Sequence, residues 1–302
     1  MDRFDAIRTL LAAVDGGSLS AASRALGTPL PTVSRKVSEL EAHLGTRLVV
    51  RTSRKLLLTD AGAAFVAAGR RVLEQLEEAE RAAAGEYRVP RGDLLVTASI
   101  MFGTLYVTPL VLAFLAAYPE VNVRLVLADH NIDLIENQVD VAVRIGQLPD
   151  SGLVATRVGE IHWVVCASPA YLATRRAPLK PSDLAEHDCI GFEGLQRVRS
   201  WPFGRGSAAQ TVAIRPRFAV NTADAVIEAA IAGVGIARLT SYQAASAIRE
   251  GRLISLLRED IPDSLPVHLV HTGPPQLPLK MRAFLDFAGP RLRSALTGIA
   301  DI

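Results

Sequence analysis

Residues 18–60 leave this chain little choice of fold. They read as two short amphipathic helices closed by glycines, followed by two short strands around a basic tip, which is the pattern of a winged helix-turn-helix. Ser18 can cap the first of these helices, where Leu19, Ala22 and Leu26 share a face and Gly27 is the stop. Thr28 is placed to cap the next, with Pro29 tolerated at its first position. Val33, Val37, Leu40 and Leu44 fall within one narrow arc of that helix and are expected in the module's core. The opposite arc holds Pro31, Ser34, Arg35 and Ser38, with Thr32, Lys36 and Glu39 at its flanks, a small, polar and basic face suited to a major groove. Gly45 ends the helix, and residues 48–58 supply the two strands around Thr52-Ser53-Arg54-Lys55. Between Arg24 and Leu58, seven cations face only Glu39 and Glu41, a local net charge of +5 in a chain whose total is +2. Positive charge gathered on a small helical unit is the electrostatic footprint of a DNA backbone.

Ahead of this module, Phe4, Ile7, Leu11 and Val14 form the apolar stripe of a first helix that Gly16-Gly17 closes. Behind it, Thr59-Asp60-Ala61-Gly62 opens a long helix to about residue 86, with Phe65, Ala68, Val72, Leu76, Ala79 and Ala83 along one stripe. A helix of this length with a stripe and no domain around it pairs either with a second copy of itself or with the chain's own first helix. Val89-Pro90-Arg91-Gly92 then forms a hinge, and the pattern becomes alternating α/β. Strands are expected at 94–99, 121–127, 139–144, 163–167, 212–220 and 267–271, and helices at 105–118, 132–138, 223–232, 242–250 and 280–288. That alternation implies mainly parallel sheet. The roughly 210 residues involved exceed one small sheet, which suggests two lobes with a ligand cleft between them. The expected organisation is a DNA-binding domain at 1–59, a linker helix and hinge at 60–91, and an effector domain at 92–302, with one lobe at 92–161 plus 267–302 and the other at 162–266.

These residues resemble the LysR-type transcriptional regulators. The resemblance rests on Ser20-Ala21-Ala22-Ser23-Arg24-Ala25-Leu26-Gly27, Pro31-Thr32-Val33-Ser34-Arg35, Leu40-Glu41 with Leu44-Gly45-Thr46-Arg47-Leu48, Arg51-Thr52, and Leu58-Thr59 with Ala61-Gly62, all in the family's order. Further on, the run 139–146, Val-Asp-Val-Ala-Val-Arg-Ile-Gly, and the run 229–237, Ala-Ala-Ile-Ala-Gly-Val-Gly-Ile-Ala, are similar to the family's effector-domain motifs. Two positions depart from the pattern: Pro29-Leu30 stands where a polar pair often opens the recognition helix, and Val49 where a Phe is usual. The resemblance implies an α/β chain with an N-terminal winged helix-turn-helix, a long linker helix, and a two-lobed effector domain of periplasmic-binding-protein type. It implies double-stranded DNA, a small organic effector and a second copy of the chain as partners, with dimerisation through the linker helix and tetramers beyond it. RNA polymerase is a further partner open to such a regulator. No cofactor and no membrane are implied, and the expected location is the cytoplasm.

The expected DNA contacts are Pro31, Thr32, Ser34, Arg35 and Ser38 at the groove, with Lys36, Arg51, Thr52, Arg54 and Lys55 at phosphates or the minor groove. Arg35 is the leading candidate for base readout, because a guanidinium can grip guanine O6 and N7 together; the bland alternative is an ion pair with Glu39. For the effector, strand ends that feed helix starts are the useful places, since backbone N–H groups there attract anions. Two qualify: Ser99, Ile100, Met101 and Phe102, and Asn221 with Thr222. Arg144, at a strand end, could receive a carboxylate or serve as a structural ion pair. Ser99 and Thr222 could equally be plain helix caps. The longest nearly apolar run, 105–117, is too short to span a membrane. Cys166 and Cys189 are the only cysteines and read as core thiols or as a redox pair. The six histidines are scattered; His268 and His271, three apart on a strand, face opposite ways and cannot share a metal. Gly233-Val234-Gly235 lacks the third glycine of a dinucleotide loop, and no hydrolase or nucleotide-binding signature is found. A solute receptor would explain residues 92–302 but leaves the basic module unexplained, and an enzyme explains less.

Overall fold

The computed structural model describes residues 2–51, 56–83, 89–130, 132–193, 198–273 and 277–298, with the backbone alone at 51, 78 and 81–83. The chain divides into two compact units, Met1–Val89 and Pro90–Ile302.

In the first unit, α1 (Arg3–Asp15), α2 (Leu19–Leu26) and α3 (Leu30–Leu44) precede an antiparallel wing of β1 (Val49–Arg51) and β2 (Leu56–Leu58), then α4 (Asp60–Ala83). Ser18 caps α2 by accepting from the Ala21 N–H at 3.1 Å, and α2 and α3 both end on glycines in the left-handed conformation, Gly27 and Gly45. Thr28 does not cap α3. The helix starts one residue later than expected with Pro29 at its N-cap, and the Thr28 hydroxyl turns back to the Leu26 carbonyl. Val33, Val37 and Leu40 are buried as expected, whereas Leu44, in the last turn, is 38% exposed.

The buried face of α1 is also rotated from the expected stripe. Ala6, Leu10 and Ala13 are fully buried while Phe4 is 43% exposed, because α1 is flanked by α2, α3 and α4. On α4, the face turned to the module is Val66, Gly69 and Leu73 with Gly62; a Cβ at Gly69 would come within 2.9 Å of Ile7. Asp15 and Arg70 pair across this contact. The stripe named from sequence lies on a neighbouring face, half-buried at Phe65, Ala68 and Leu76, exposed at Ala79, and 44% exposed at Val72.

The second unit contains two five-stranded sheets. The first has the order β4-β3-β5-β14-β6, from β3 (Gly92–Ala98), β4 (Val121–Leu127), β5 (Val141–Ile145), β6 (Val154–Ile161) and β14 (Leu265–His271). The second has the order β11-β8-β12-β7-β13, from β7 (Trp163–Ala167), β8 (Asp188–Phe192), β11 (Arg215–Val220), β12 (Ile236–Thr240) and β13 (Ile254–Leu256). A hairpin of β9 (Ser200–Phe203) and β10 (Gln210–Ala213) stands apart. The sheets are mixed rather than mainly parallel: β3 runs parallel to β4 and β5, and β8 to β11 and β12, while β14, β7 and β13 pair antiparallel. Those antiparallel strands are where the chain passes from one sheet to the other and back, β6 into β7 and β13 into β14, which alternation along the sequence does not reveal. The expected strand at 212–220 is likewise two strands on two different partners.

The helices are α5 (Ile100–Phe102), a π-turn at Gly103–Val107, α6 (Thr108–Ala117), α7 (Pro169–Thr174), α8 (Ala223–Ile231), α9 (Ser241–Arg249) and α10 (Leu279–Thr297). No helix forms at 132–138. Asp133 instead accepts from Ile135 and Glu136 N–H, both at 2.8 Å, in a local turn that Gln138 ends at φ 55°. Helix α10 continues through Pro290, since Met281, Phe284, Ala288, Leu292 and Leu296 all pack into the first sheet's core and offset the lost N–H. The apolar stretch Ile100–Ala117 is 18 residues at mean hydropathy 2.0, so by length and composition it is long enough to cross a membrane, contrary to the expectation from the shorter run 105–117; its Phe102, Val107, Leu110, Val111 and Phe114 pack into that same core. Cys166 and Cys189 lie on β7 and β8, which flank β12, so they are two strands, about 10 Å, apart. They face different cores, and burial pushes both thiols up to about 12. A disulfide between them is excluded by geometry.

Candidate functional sites: a recognition helix and a strand-end pocket

The geometry of the first site follows from what holds α3 and the wing together. Glu41, near the end of α3, accepts the N–H groups of both Leu48 (2.8 Å) and Val49 (3.0 Å) on one carboxylate oxygen, which ties the start of the wing to the helix. Thr59 closes the other end. Its hydroxyl donates to the Arg47 carbonyl at 2.7 Å and accepts from the Gly62 N–H at 2.9 Å, capping α4 on the wing. At Gly62 a Cβ would stand 1.9 Å from the Leu48 carbonyl oxygen, so only glycine permits this approach. The Glu41, Thr59 and Gly62 of the sequence motif are therefore the parts that fix the wing against α3.

The face so presented carries Pro31, Arg35 and Ser38 exposed, with Thr32 and Ser34 half-buried. Arg35 pairs with Glu39 at 3.1 Å across one exposed turn, a contact worth little in solvent. Lys36 is only 21% exposed and its ammonium is held by Asp5 of α1 at 2.6 Å, so in the free protein it ties α3 to α1. The Arg51 side chain, Thr52, Arg54 and Lys55 lie outside the described residues.

The second site lies at the carboxyl ends of the first sheet's parallel strands, with Ser99 beside the meeting of the two sheets. Ser99 follows β3, Ala128 follows β4, and Arg144 and Ile145 end β5, so the carboxyl ends of three parallel strands converge; with Asp129, His130 and Val143 they line an open pocket of ≈ 120 Å³. Ligands of open α/β sheets settle at such ends. Ser99 occupies the cap position of α5 but makes no cap bond; the Ile100 N–H is taken instead by Asp129 at 2.9 Å. The helix start expected to attract an anion thus already holds a carboxylate. Arg144 donates to the Ile132 carbonyl at 2.6 Å, and burial lowers its pKa below the usual guanidinium value; among the described residues it has no carboxylate partner. Met101 packs against the cores of both sheets, and Phe102 is fully buried. Asn221 is exposed after β11, and Thr222 stands at the cap position of α8 without a side-chain bond. Neither lines the Ser99 pocket.

Sequence reasoning missed the other half of this junction. Tyr242, in the first turn of α9, sets its ring edge-on to Phe102 (5.3 Å) and Tyr106 (6.1 Å), carrying the second sheet's helix into the first sheet's core. The hydroxyls of Ser99 and Thr240 both lie beside its phenol, yet both are buried with no partner of hydrogen-bonding geometry. The signal available was the charged Arg238 between the apolar Ala237 and Leu239.

Two family models cover this chain: residues 4–63 match the bacterial regulatory helix-turn-helix protein, lysR family, and residues 88–293 match the LysR substrate binding domain. This chain belongs to the LysR family. A HTH-type transcriptional regulator of Xanthomonas campestris is 35% identical over 283 residues, covering 92% of this chain and 82% of the relative. The regulator CrgA of Neisseria meningitidis is 34% identical over 286 residues, covering 94% and 95%. The solved structure of CrgA from Neisseria meningitidis superposes with a TM-score of 0.61 at 32% identity, covering 95% of this chain and 98% of that one. As a LysR-type regulator, the protein binds DNA through its N-terminal unit and a small effector through its C-terminal one.

Proposed function

We propose that α3 enters the major groove of a palindromic operator with Pro31, Thr32, Ser34, Arg35 and Ser38 against the bases. Lys36, Arg51, Thr52, Arg54 and Lys55 contact phosphates or the minor groove, Lys36 by exchanging its Asp5 partner for a phosphate. The observation that carries this reading is the division of α3 into a buried face of Val33, Val37 and Leu40 and an outward polar face, held rigid against the wing by Glu41. The outward stripe of α4 around Val72 supports dimerisation through that helix. Two copies present two recognition helices, which is what a dyad site requires. Tetramers, contact with RNA polymerase and a cytoplasmic location belong to the same reading.

In the second unit, the effector is a small organic molecule received between the sheets, with Ser99, Ile100, Met101, Phe102 and Arg144 on one side and Asn221 and Thr222 on the other. Its binding changes the placement of the DNA-binding heads only through unequal affinity for two arrangements. The test is a footprint at fixed salt on DNA flanking the protein's own gene. Spaced, dyad-related protection that shifts on adding an effector supports the reading, and diffuse, salt-sensitive binding alone counts against it.

A further inference from the structure

Arg238 is the cation of the second unit whose position its own fold least explains. It lies on β12 opposite Val165 of β7, two residues before Thr240, which faces Trp163. These positions sit at the carboxyl end of β12, the end at which Ser241 meets His162 on the crossing between the sheets. Arg238 and Thr240 point to the same side of the strand, about 7 Å apart. The guanidinium carbon stacks 3.9 Å from the centre of the Trp163 ring, which fixes the plane of the group. Its Nε and Nη2 atoms are buried without a hydrogen-bond partner, and among the described residues no carboxylate pairs with it. Burial lowers its pKa to about 10. The residue as a whole is partly exposed, although these two nitrogens are buried, so a ligand reaches them only as the junction between the sheets opens.

Buried polar groups are almost always paired, and an unpaired one calls for a reason. Here three are gathered at one junction: the Arg238 edge, the Thr240 hydroxyl and the Ser99 hydroxyl, the last two on either side of the Tyr242 phenol. Nε and Nη2 form one edge of the guanidinium, two parallel donors spaced for the two oxygens of a carboxylate. The rival anion site, the helix start after Ser99, is already filled by Asp129.

We infer that Arg238 is the anion-binding residue of the effector site and that the effector is a small organic carboxylate. Its carboxylate takes the Nε–Nη2 edge of the Trp163-stacked guanidinium, and the rest of the molecule reaches the Thr240 and Ser99 hydroxyls. This deepens the effector reading above and rests on it.

The probe is a fixed set of carboxylates, acetate through adipate together with benzoate and phenylacetate, each paired with its neutral amide. Binding to the full-length protein is read by thermal melting and by Trp163 fluorescence in a Trp201→Phe background. At least one acid raises the melting temperature and alters the Trp163 signal, and its amide does neither. Arg238→Met weakens that acid at least tenfold, while the unliganded variant melts at the same temperature or higher, since a buried unpaired charge has been removed. Arg238→Lys, which keeps the charge but not the paired donors, falls between. Equal affinity of the acid for wild type and Arg238→Met overturns the assignment, as do amides that bind as well as acids, or a wild type that none of the acids stabilises. The underlying effector reading fails separately, if an acid bound through Arg238 leaves the operator footprint unaltered.

Discussion

The two units of this regulator treat their polar groups in opposite ways. In the DNA-binding unit they are spent on holding shape: Glu41 on two wing amides, Thr59 on the wing and α4, Ser18 on α2, Lys36 on Asp5, Arg70 on Asp15. Among the described residues, none of its buried side-chain polar atoms lacks a partner, whereas the second unit leaves Ser99, Arg238, Thr240 and His268 with such atoms. A reading head must be rigid before it meets DNA, so its hydrogen bonds close on themselves. A receiving site must keep donors open for a molecule that arrives later, and accepts the desolvation cost while empty.

Breaking the closed half gives the largest effect. Gly62→Ala drives a methyl into the Leu48 carbonyl and is expected to cost about 3 kcal/mol, seen as a lower denaturation midpoint and loss of operator binding together. Glu41→Ala leaves two wing N–H groups without their acceptor and costs about 2–3 kcal/mol. Glu41→Gln, which keeps an acceptor, recovers part of this in the same denaturation experiment.

Arg35→Ala separates reading from folding. Among the described residues its partner is the exposed Glu39, so stability changes by less than about 0.5 kcal/mol, while specific operator binding at fixed salt weakens by about 1–3 kcal/mol. A variant that loses stability as much as affinity would show that α3's outward face is structural.

The second half predicts a pH asymmetry. Burial lowers the pKa of His187, His268 and His271, all in the second unit. The unfolded chain then takes up protons near the ordinary imidazole value, about 6.5, while the folded one resists. Stability from these groups is present above that value and lost as pH falls through it towards the lowered folded values. Melting at pH 7.5 and 5.5 tests this, with the lower temperature expected at pH 5.5. The smallest effect is an absence of reaction: Cys166 and Cys189, buried with thiols pushed up to about 12, stay unmodified by a thiol reagent until the protein unfolds. Labelling of the native protein would reopen the redox reading.

The same contrast decides how much could be read from the sequence. Within the first unit, Ser18, Glu41, Thr59 and Gly62 act on residues a short distance along the chain, so motif and spacing carry their roles. The errors there were small and local: Thr28 ceded the cap to Pro29, and α1 turned its alanines inward because three helices flank it. In the second unit, Val121–Leu127 and Trp163–Ala167 were legible as strands, but the antiparallel crossings between the sheets were not, since β14 joins a sheet begun more than 160 residues earlier. The site followed suit. Ser99 and Arg144, both legible as candidates, share a pocket, while Tyr242 and Thr240 come near Ser99 only because the sheets meet. No local pattern records that meeting.

DNA reading by α3 is tested most directly by selection of bound duplexes from a random pool by the full-length protein at fixed salt, with Arg35→Ala alongside. The wild type is expected to enrich a dyad-symmetric sequence, and the variant to show relaxed preference at defined half-site positions. A pool that stays random, with binding that merely falls as salt rises, would contradict it.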